Sequence, residues 1–280
     1  MYARRELVAH LRTLGVAPGD TVMVHASVRS VGDVAGGPDQ IHLAIKDAIG
    51  AQGTLLMYAS CPQYYDEVGR GTLAPDVEAE LREKLPPFDA HTARSARDNG
   101  ALVELLRTFP GSSVNDHVVR FVAWGARAGH LLAPQPWDYA YGAGSALERF
   151  LELDGKILML GSDHDTVTFL HYTEHVGDFP GKRVIRYQVP LLERGERVWR
   201  WMAEVDTSDG GAHPHWPDRF FAKIVDGHLR TTGNRGGRVG DAPSWVMSAR
   251  ALHEYAQPVM TRLAHDAGAT RSLADAVDET

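Results

Sequence analysis

Three side chains able to move protons or hold a metal crowd one short stretch: His171, Glu174 and His175. If the stretch is helical, residues three and four apart share a face, so Thr168, His171 and Glu174 line up. Two chemistries fit. Read as His-x-x-Glu-His, it matches the inverted zinc-peptidase signature, with His171 and His175 as ligands and Glu174 as base. Read without a metal, His171 is a general base, and Glu174 sets its tautomer and steadies the positive charge it acquires. A half-exposed helix whose polar face happens to carry His and Glu is the third reading. The local residues leave all three open.

The elements around the cluster must position it. Lys156-Ile157-Leu158-Met159-Leu160 is a short apolar run that reads as a buried strand. Gly161 and the polar residues after it make a turn, with Asp165 as the expected N-cap of the helix that carries His171. Open α/β sheets place their chemistry just past the C-terminal ends of strands, which is where this order puts the cluster. Upstream, Leu7, Val8, Leu11 and Leu14 recur at a helix period, and residues 21–25 read as a buried strand running into a small, polar segment. A helix over about 40–49 follows. Strand, small-residue loop and helix is an order that offers backbone N–H groups to a phosphate, although no Gly-x-Gly-x-x-Gly or Walker sequence is present.

Further strands are expected at 53–58 and 121–125, with helices over 76–85 and 101–109 and another ending near 132. Residues 183–192 and 197–205 read as an antiparallel hairpin turning at Glu193-Arg194-Gly195-Glu196. Helices near 218–229 and 248–264 finish the chain. The fold class is α/β: a mixed, mostly parallel central sheet flanked by helices, with an added antiparallel hairpin. Residues 1–268 are expected to form one domain and 269–280 a frayed tail.

Hydrophobic residues at 44% and charged ones at 23% over 280 residues describe an ordinary globular chain with length for a sizeable core. No apolar run approaches the roughly 18–20 residues of a membrane span, and the N-terminus lacks a signal-peptide apolar region, so no membrane partner is expected. Cys61 is the single cysteine, so no internal disulfide can form, and a reducing, cytoplasmic setting is expected. Beside Pro62 it reads as a packed side chain rather than a nucleophile. Acidic residues outnumber basic ones by 36 to 29, a formal charge of −7. Nucleic acid is then a poor partner, and a cationic small molecule a welcome one.

Many short segments, in one order, resemble the aminoglycoside 3-N-acetyltransferase family. They begin with Gly19-Asp20, Val24-His25-Ala26-Ser27, Ser30-Val31-Gly32 and Gly36-Gly37-Pro38. Tyr58-Ala59-Ser60, Tyr65-Asp66-Glu67, Pro87-Phe88-Asp89, Tyr141-Gly142 with Ser145, and Leu147-Glu148-Arg149-Phe150 continue them. The centre is Leu160-Gly161, Thr168, Leu170-His171-Tyr172 and Glu174, followed by Gly181-Lys182-Arg183, Asp206 with Ser208-Asp209-Gly210, and Val239-Gly240. One loop departs from the family pattern Arg-Ser-x-His-Pro with a later Ser: Ser113 to Arg120 lacks the Pro and carries Arg120 where a small residue is usual.

The resemblance implies a cleft that takes acetyl-coenzyme A on one side and a cationic aminoglycoside on the other, with no metal. It implies His171 and Glu174 as the catalytic pair. His25, Ser27, Arg29, Ser30, Val31, Gly32, Ser145 and Thr168 become candidate coenzyme contacts. Tyr65, Asp66, Asp98, Asp206 and Asp209 become candidate antibiotic contacts, acids for a polycation with aromatic walls. His164, His213 and His215 read as ordinary loop residues. Monomer and homodimer both remain compatible, as does another amine acceptor on the same fold. The chemistry asks for a base, because an aminoglycoside amine is largely protonated at neutral pH and cannot attack as an ammonium.

Overall fold

The computed structural model describes residues 1–207, 212–214 and 216–265; Asp209, His215 and the tail 269–280 lie outside them. In chain order the elements are α1 (Arg4–Thr13), β1 (Thr21–Ala26), α2 (Val28–Val31), α3 (Asp39–Ile49), β2 (Thr54–Tyr58), α4 (Pro75–Lys84), α5 (Ala101–Arg107), β3 (Ser113–Val114) and β4 (Phe121–Gly125). They continue with α6 (Ala128–Leu131), α7 (Ala146–Glu152), β5 (Lys156–Leu160), α8 (Leu170–Val176), β6 (Val184–Glu193), β7 (Glu196–Val205), α9 (Phe220–Thr232), β8 (Gly237–Val239), β9 (Ala242–Ser248) and α10 (Ala249–His265).

Seven strands form one sheet in the order β3-β4-β2-β1-β5-β9-β8, and β6 and β7 pair separately. The three central strands are parallel, β1 lying between β2 and β5. Antiparallel strands extend both edges, β4 on β2 and β9 on β5. The central strands are apolar along their whole length because both faces of the sheet are covered. Alternate residues serve different layers. Val22, Val24, Leu55, Met57, Leu158 and Leu160 face a core shared with α1, α3 and α5. Met23, Leu56, Ile157 and Met159 face the other, shared with α7 to α10. Each such side chain, once buried, contributes roughly 1.5–3 kcal/mol.

The hairpin runs in register from Val184 opposite Val205 to Glu193 opposite Glu196. Its inner residues Tyr187, Val189, Leu191 and Met202 meet Cys61, Tyr65, Phe88 and Val118 in a third cluster. Cys61 is buried there, and burial raises its thiol pKa, which suits packing and not attack. Two local expectations change. Asp165 does not cap α8; its carboxylate accepts the Ala222 N–H of α9 at 3.0 Å, while Asp163 caps the short turn over His164–Thr166. No strand was expected over β8 or β9, which close one sheet edge against β5.

Candidate active site

The C-terminal ends of β1, β2 and β5 open onto a cleft with two adjoining lobes. The smaller, about 300 Å³, is walled by His25 and Ala26, Met57 and Tyr58, Asp98 and Asn99, and by Ser162, Thr166, Thr168 and His171. The larger, about 780 Å³, lies between residues 60–70, residues 94–98 and the hairpin, and includes Tyr141, Tyr187 and Glu204. Tyr58 and Asp98 belong to both.

Gly161 brings the chain from β5 into this cleft with φ +63°, and a Cβ there would lie 2.5 Å from Ser30 Cβ. Only glycine tolerates both the backbone angle and the approach. Beyond the turn, α8 sets His171 Nδ1 2.7 Å from Glu174 Oε2. Glu174 is fully buried, and its other oxygen accepts the Ala212 N–H at 3.4 Å. A carboxylate held this way accepts the Nδ1 proton, which leaves the lone pair of His171 on Nε2. Tyr141 and Phe221 flank the ring with centroids at 5.0 and 4.8 Å, and 21% of the side chain stays exposed. The result is an oriented imidazole at the cleft wall, able to accept a proton.

His175 goes elsewhere. Its Nδ1 lies 2.6 Å from the His171 carbonyl, one turn back, and its Nε2 hydrogen-bonds Glu204 on β7. Both ring nitrogens are therefore committed away from the His171–Glu174 pair, so His-x-x-Glu-His does not converge as zinc ligation needs. Among the described residues no three His, Cys, Asp or Glu side chains gather in a metal-holding group.

Of the candidate coenzyme contacts, His25 and Thr168 line the smaller lobe. Burial, with His171 nearby, pushes the His25 imidazole down to about 4, so it stays neutral. Ser27 caps α2, and its Oγ is 2.8 Å from Ser30 Oγ, which also lies 3.2 Å from the Gly161 carbonyl. Arg29 is exposed and Gly32 abuts Asp241. Val31 is not brought to the cleft, being fully buried in the core with α1 and α3. Ser145 is likewise fully buried: it accepts the Glu148 N–H at 3.2 Å and donates to the Tyr141 carbonyl at 3.1 Å, so both its functions are used in capping α7.

Of the candidate antibiotic contacts, Asp66 and Asp98 line the larger lobe. Tyr65 is turned into the third cluster, its ring 5.3 Å from Phe88. Asp206 stands at the end of β7 with Arg183 Nε at 3.5 Å, and its neighbour Thr207 lines the lobe instead. Asp209 lies outside the described residues.

The sequence reading missed Glu204, a carboxylate only 3% exposed in the lobe wall, and the hydrogen-bonded hydroxyl pair of Tyr58 and Tyr141 at the lobe junction. A lone acid near the end of an otherwise apolar stretch, Trp201-Met202-Ala203-Glu204-Val205, was the available signal. It also missed what Arg120 does. This guanidinium is fully buried and donates to the carbonyls of Ala59, Ser60, Ala90 and Ala93, tying together the loops behind the larger lobe.

Residues 23–261 match the family model for aminoglycoside 3-N-acetyltransferase. Aminoglycoside N(3)-acetyltransferase III of Pseudomonas aeruginosa is 37% identical over 257 residues, covering 91% of this chain and 92% of that protein. The solved structure of AAC-IIIb in binary complex with CoASH superposes with a TM-score of 0.87 at 40% identity, covering 93% of this chain and 97% of the other. That of AAC-VIa bound to sisomicin gives 0.82 at 33% identity, covering 93% and 98%. By sequence and by fold, this chain belongs to the aminoglycoside 3-N-acetyltransferase family.

Proposed function

We propose that the protein transfers the acetyl group of acetyl-coenzyme A to the 3-amino group of an aminoglycoside, conferring resistance, with His171 as general base. The observation that carries the mechanism is the 2.7 Å contact between buried Glu174 and Nδ1 of His171, which stands in the wall of the smaller lobe. The thioester end of acetyl-coenzyme A occupies the smaller lobe beside His25 and Thr168. The polycation occupies the larger one, against Asp66 and Asp98.

His171 Nε2 takes the proton from the acceptor amine as nitrogen attacks the thioester carbonyl. Glu174 offsets the imidazolium that forms. Nitrogen gains the C–N bond, the C–S bond breaks, and the proton on the imidazolium is available to the departing thiolate. No acyl-enzyme is needed, since the thioester is already activated. Developing charge on the carbonyl oxygen needs donors, and the Thr168 hydroxyl is in the lobe wall for that role.

Acetyl-coenzyme A is a cytoplasmic metabolite, which is where this reading puts the protein. Among the described residues no helix is long and apolar enough to cross a membrane. The test is thiol release by purified protein with acetyl-coenzyme A and a panel of aminoglycosides, followed by mapping of the acetylated nitrogen. Turnover confined to amines outside that class would reassign the acceptor.

A further inference from the structure

We propose that His175 and Glu204 form a second histidine–carboxylate pair, devoted to acceptor recognition, in which His175 is the positioning residue that holds Glu204 as a receptor for one ammonium group of the substrate. The inference rests on the acetyl transfer proposed above and adds to it a specificity determinant outside the catalytic pair.

The argument is a count of protons. His175 Nδ1 lies 2.6 Å from the His171 carbonyl, which can only accept, so Nδ1 carries a proton. The contact between Nε2 and Glu204 Oε1 joins a ring nitrogen to a carboxyl oxygen, and it too requires a proton. That proton sits on the ring or on the carboxyl, and in both cases the pair is neutral overall. Glu204 Oε2 accepts the Ala140 N–H at 3.0 Å, which fixes the plane of the carboxyl group. Side-chain exposure is 1% for His175 and 3% for Glu204, so neither partner could be charged there alone at small cost.

Glu204 nonetheless belongs to the wall of the larger lobe. The titratable groups nearest it are Tyr58 of β2, Tyr141 before α7 and Tyr187 of β6, and the rest of the lobe wall carries Asp66, Glu67 and Asp98 with the guanidinium groups of Arg70, Arg94 and Arg97. Burial raises the three phenols, so none of them ionises near neutral pH. His175 thus supplies the only imidazole bonded to this carboxylate among the described residues. It keeps the oxygen-rich end of a neutral pair turned to the cleft before any polycation arrives. An incoming ammonium finds an oriented acceptor, because the shared proton can pass to His175 Nε2 and leave the charge on the carboxyl. Because His175 also bonds the His171 carbonyl, the acceptor wall and the catalytic helix are held as one unit.

The test measures both KM values by thiol release for wild type, Glu204→Gln, His175→Phe and His175→Gln, between about pH 6 and pH 8. Glu204→Gln keeps the shape and can still hydrogen-bond His175 and Ala140, so it reads the charge even if His175→Phe fails to fold. It is expected to raise the aminoglycoside KM roughly 10-fold at every pH, with the acetyl-coenzyme A KM unchanged. In His175→Phe the carboxyl loses the partner that orients it, so the acceptor KM is expected to rise while the acetyl-coenzyme A KM stays unchanged. His175→Gln, which retains a donor, should recover part of the loss. An unchanged acceptor KM in Glu204→Gln overturns the proposal. So does an equal rise of both KM values alongside a lowered Tm, which a packing role would give. Wild-type turnover of aminoglycosides in the same assay means that such a failure is confined to the pair. Absence of that turnover overturns the functional reading and this inference with it.

Discussion

Glu174→Gln separates the two jobs assigned to that residue. The native carboxylate is fully buried, 2.7 Å from His171 Nδ1, so it both holds the ring and offsets the charge that His171 gains. Glutamine has the same shape and can still accept the Nδ1 proton through its amide oxygen, but it offers no negative charge. A hydrogen bond to a charged group contributes about 1.5–3 kcal/mol and a neutral one about 0.5–1.5 kcal/mol. The difference, about 1–2 kcal/mol, corresponds to roughly 5–30-fold in rate. The loss falls mainly on the transition state, where the imidazolium forms, and burial enlarges it, so kcat should drop about 10–100-fold. Acetyl-coenzyme A KM should hold, because Glu174 lines neither lobe. The assay is steady-state thiol release with saturating aminoglycoside. A kcat within about twofold of wild type would refute the charge argument. A loss as deep as that of His171→Ala would show that orientation and charge cannot be separated in this way.

Asp66→Asn and Asp98→Asn should each raise the aminoglycoside KM and leave acetyl-coenzyme A KM nearly unchanged. Such contacts are worth at most about 1.5–3 kcal/mol, and screening at partly open positions favours the low end; kinetics across ionic strength checks this. Acid should destabilise the fold between pH 6.5 and about 4. His25 and His117 are held neutral by burial with pKa values of about 4 against 6.5 unfolded, so the unfolded state binds the extra protons as pH falls and each site costs roughly 3 kcal/mol once pH is below 4. His117→Asn keeps an acceptor for the Val119 N–H and cannot charge, so denaturant titrations should show a flatter stability profile in that window. Dialysis against a strong chelator should leave activity intact, since His175 is committed to Glu204 and its own helix; loss of activity restored by zinc would contradict this.

The residues that announce themselves in this sequence are those whose partners are near in the chain. β5 and β4 are continuous apolar runs because both sheet faces are covered, and their limits, Lys156–Leu160 and Phe121–Gly125, follow from that. His171 and Glu174 are visible as a pair because helical spacing three apart brings them together. β9 was hidden because Pro243 and three polar or small positions break its alternation, and its pairing with β5 and β8 makes it a strand. His175 and Glu204 are 29 residues apart, joined by a chain reversal that no local pattern specifies. Arg120 looked like a mere departure from the family because all its partners are backbone carbonyls, which sequence does not display. Ser145 is the opposite case, because its partners lie close by in the chain. The run Ser145-Ala146-Leu147-Glu148 is a capping pattern: Ser145 Oγ accepts the Glu148 N–H, and Glu148 Oε2 accepts the N–H of Gly144, the residue before the cap, at 2.7 Å.

The central claim is that His171 removes the acceptor proton in the step that moves the acetyl group. Single-turnover acetyl transfer by His171→Ala, with acetyl-coenzyme A and aminoglycoside both saturating, tests it most directly when coenzyme binding is measured beside it by calorimetry. The account predicts a rate about 10²–10⁴-fold below wild type, with coenzyme affinity retained. A near-wild-type single-turnover rate would contradict it.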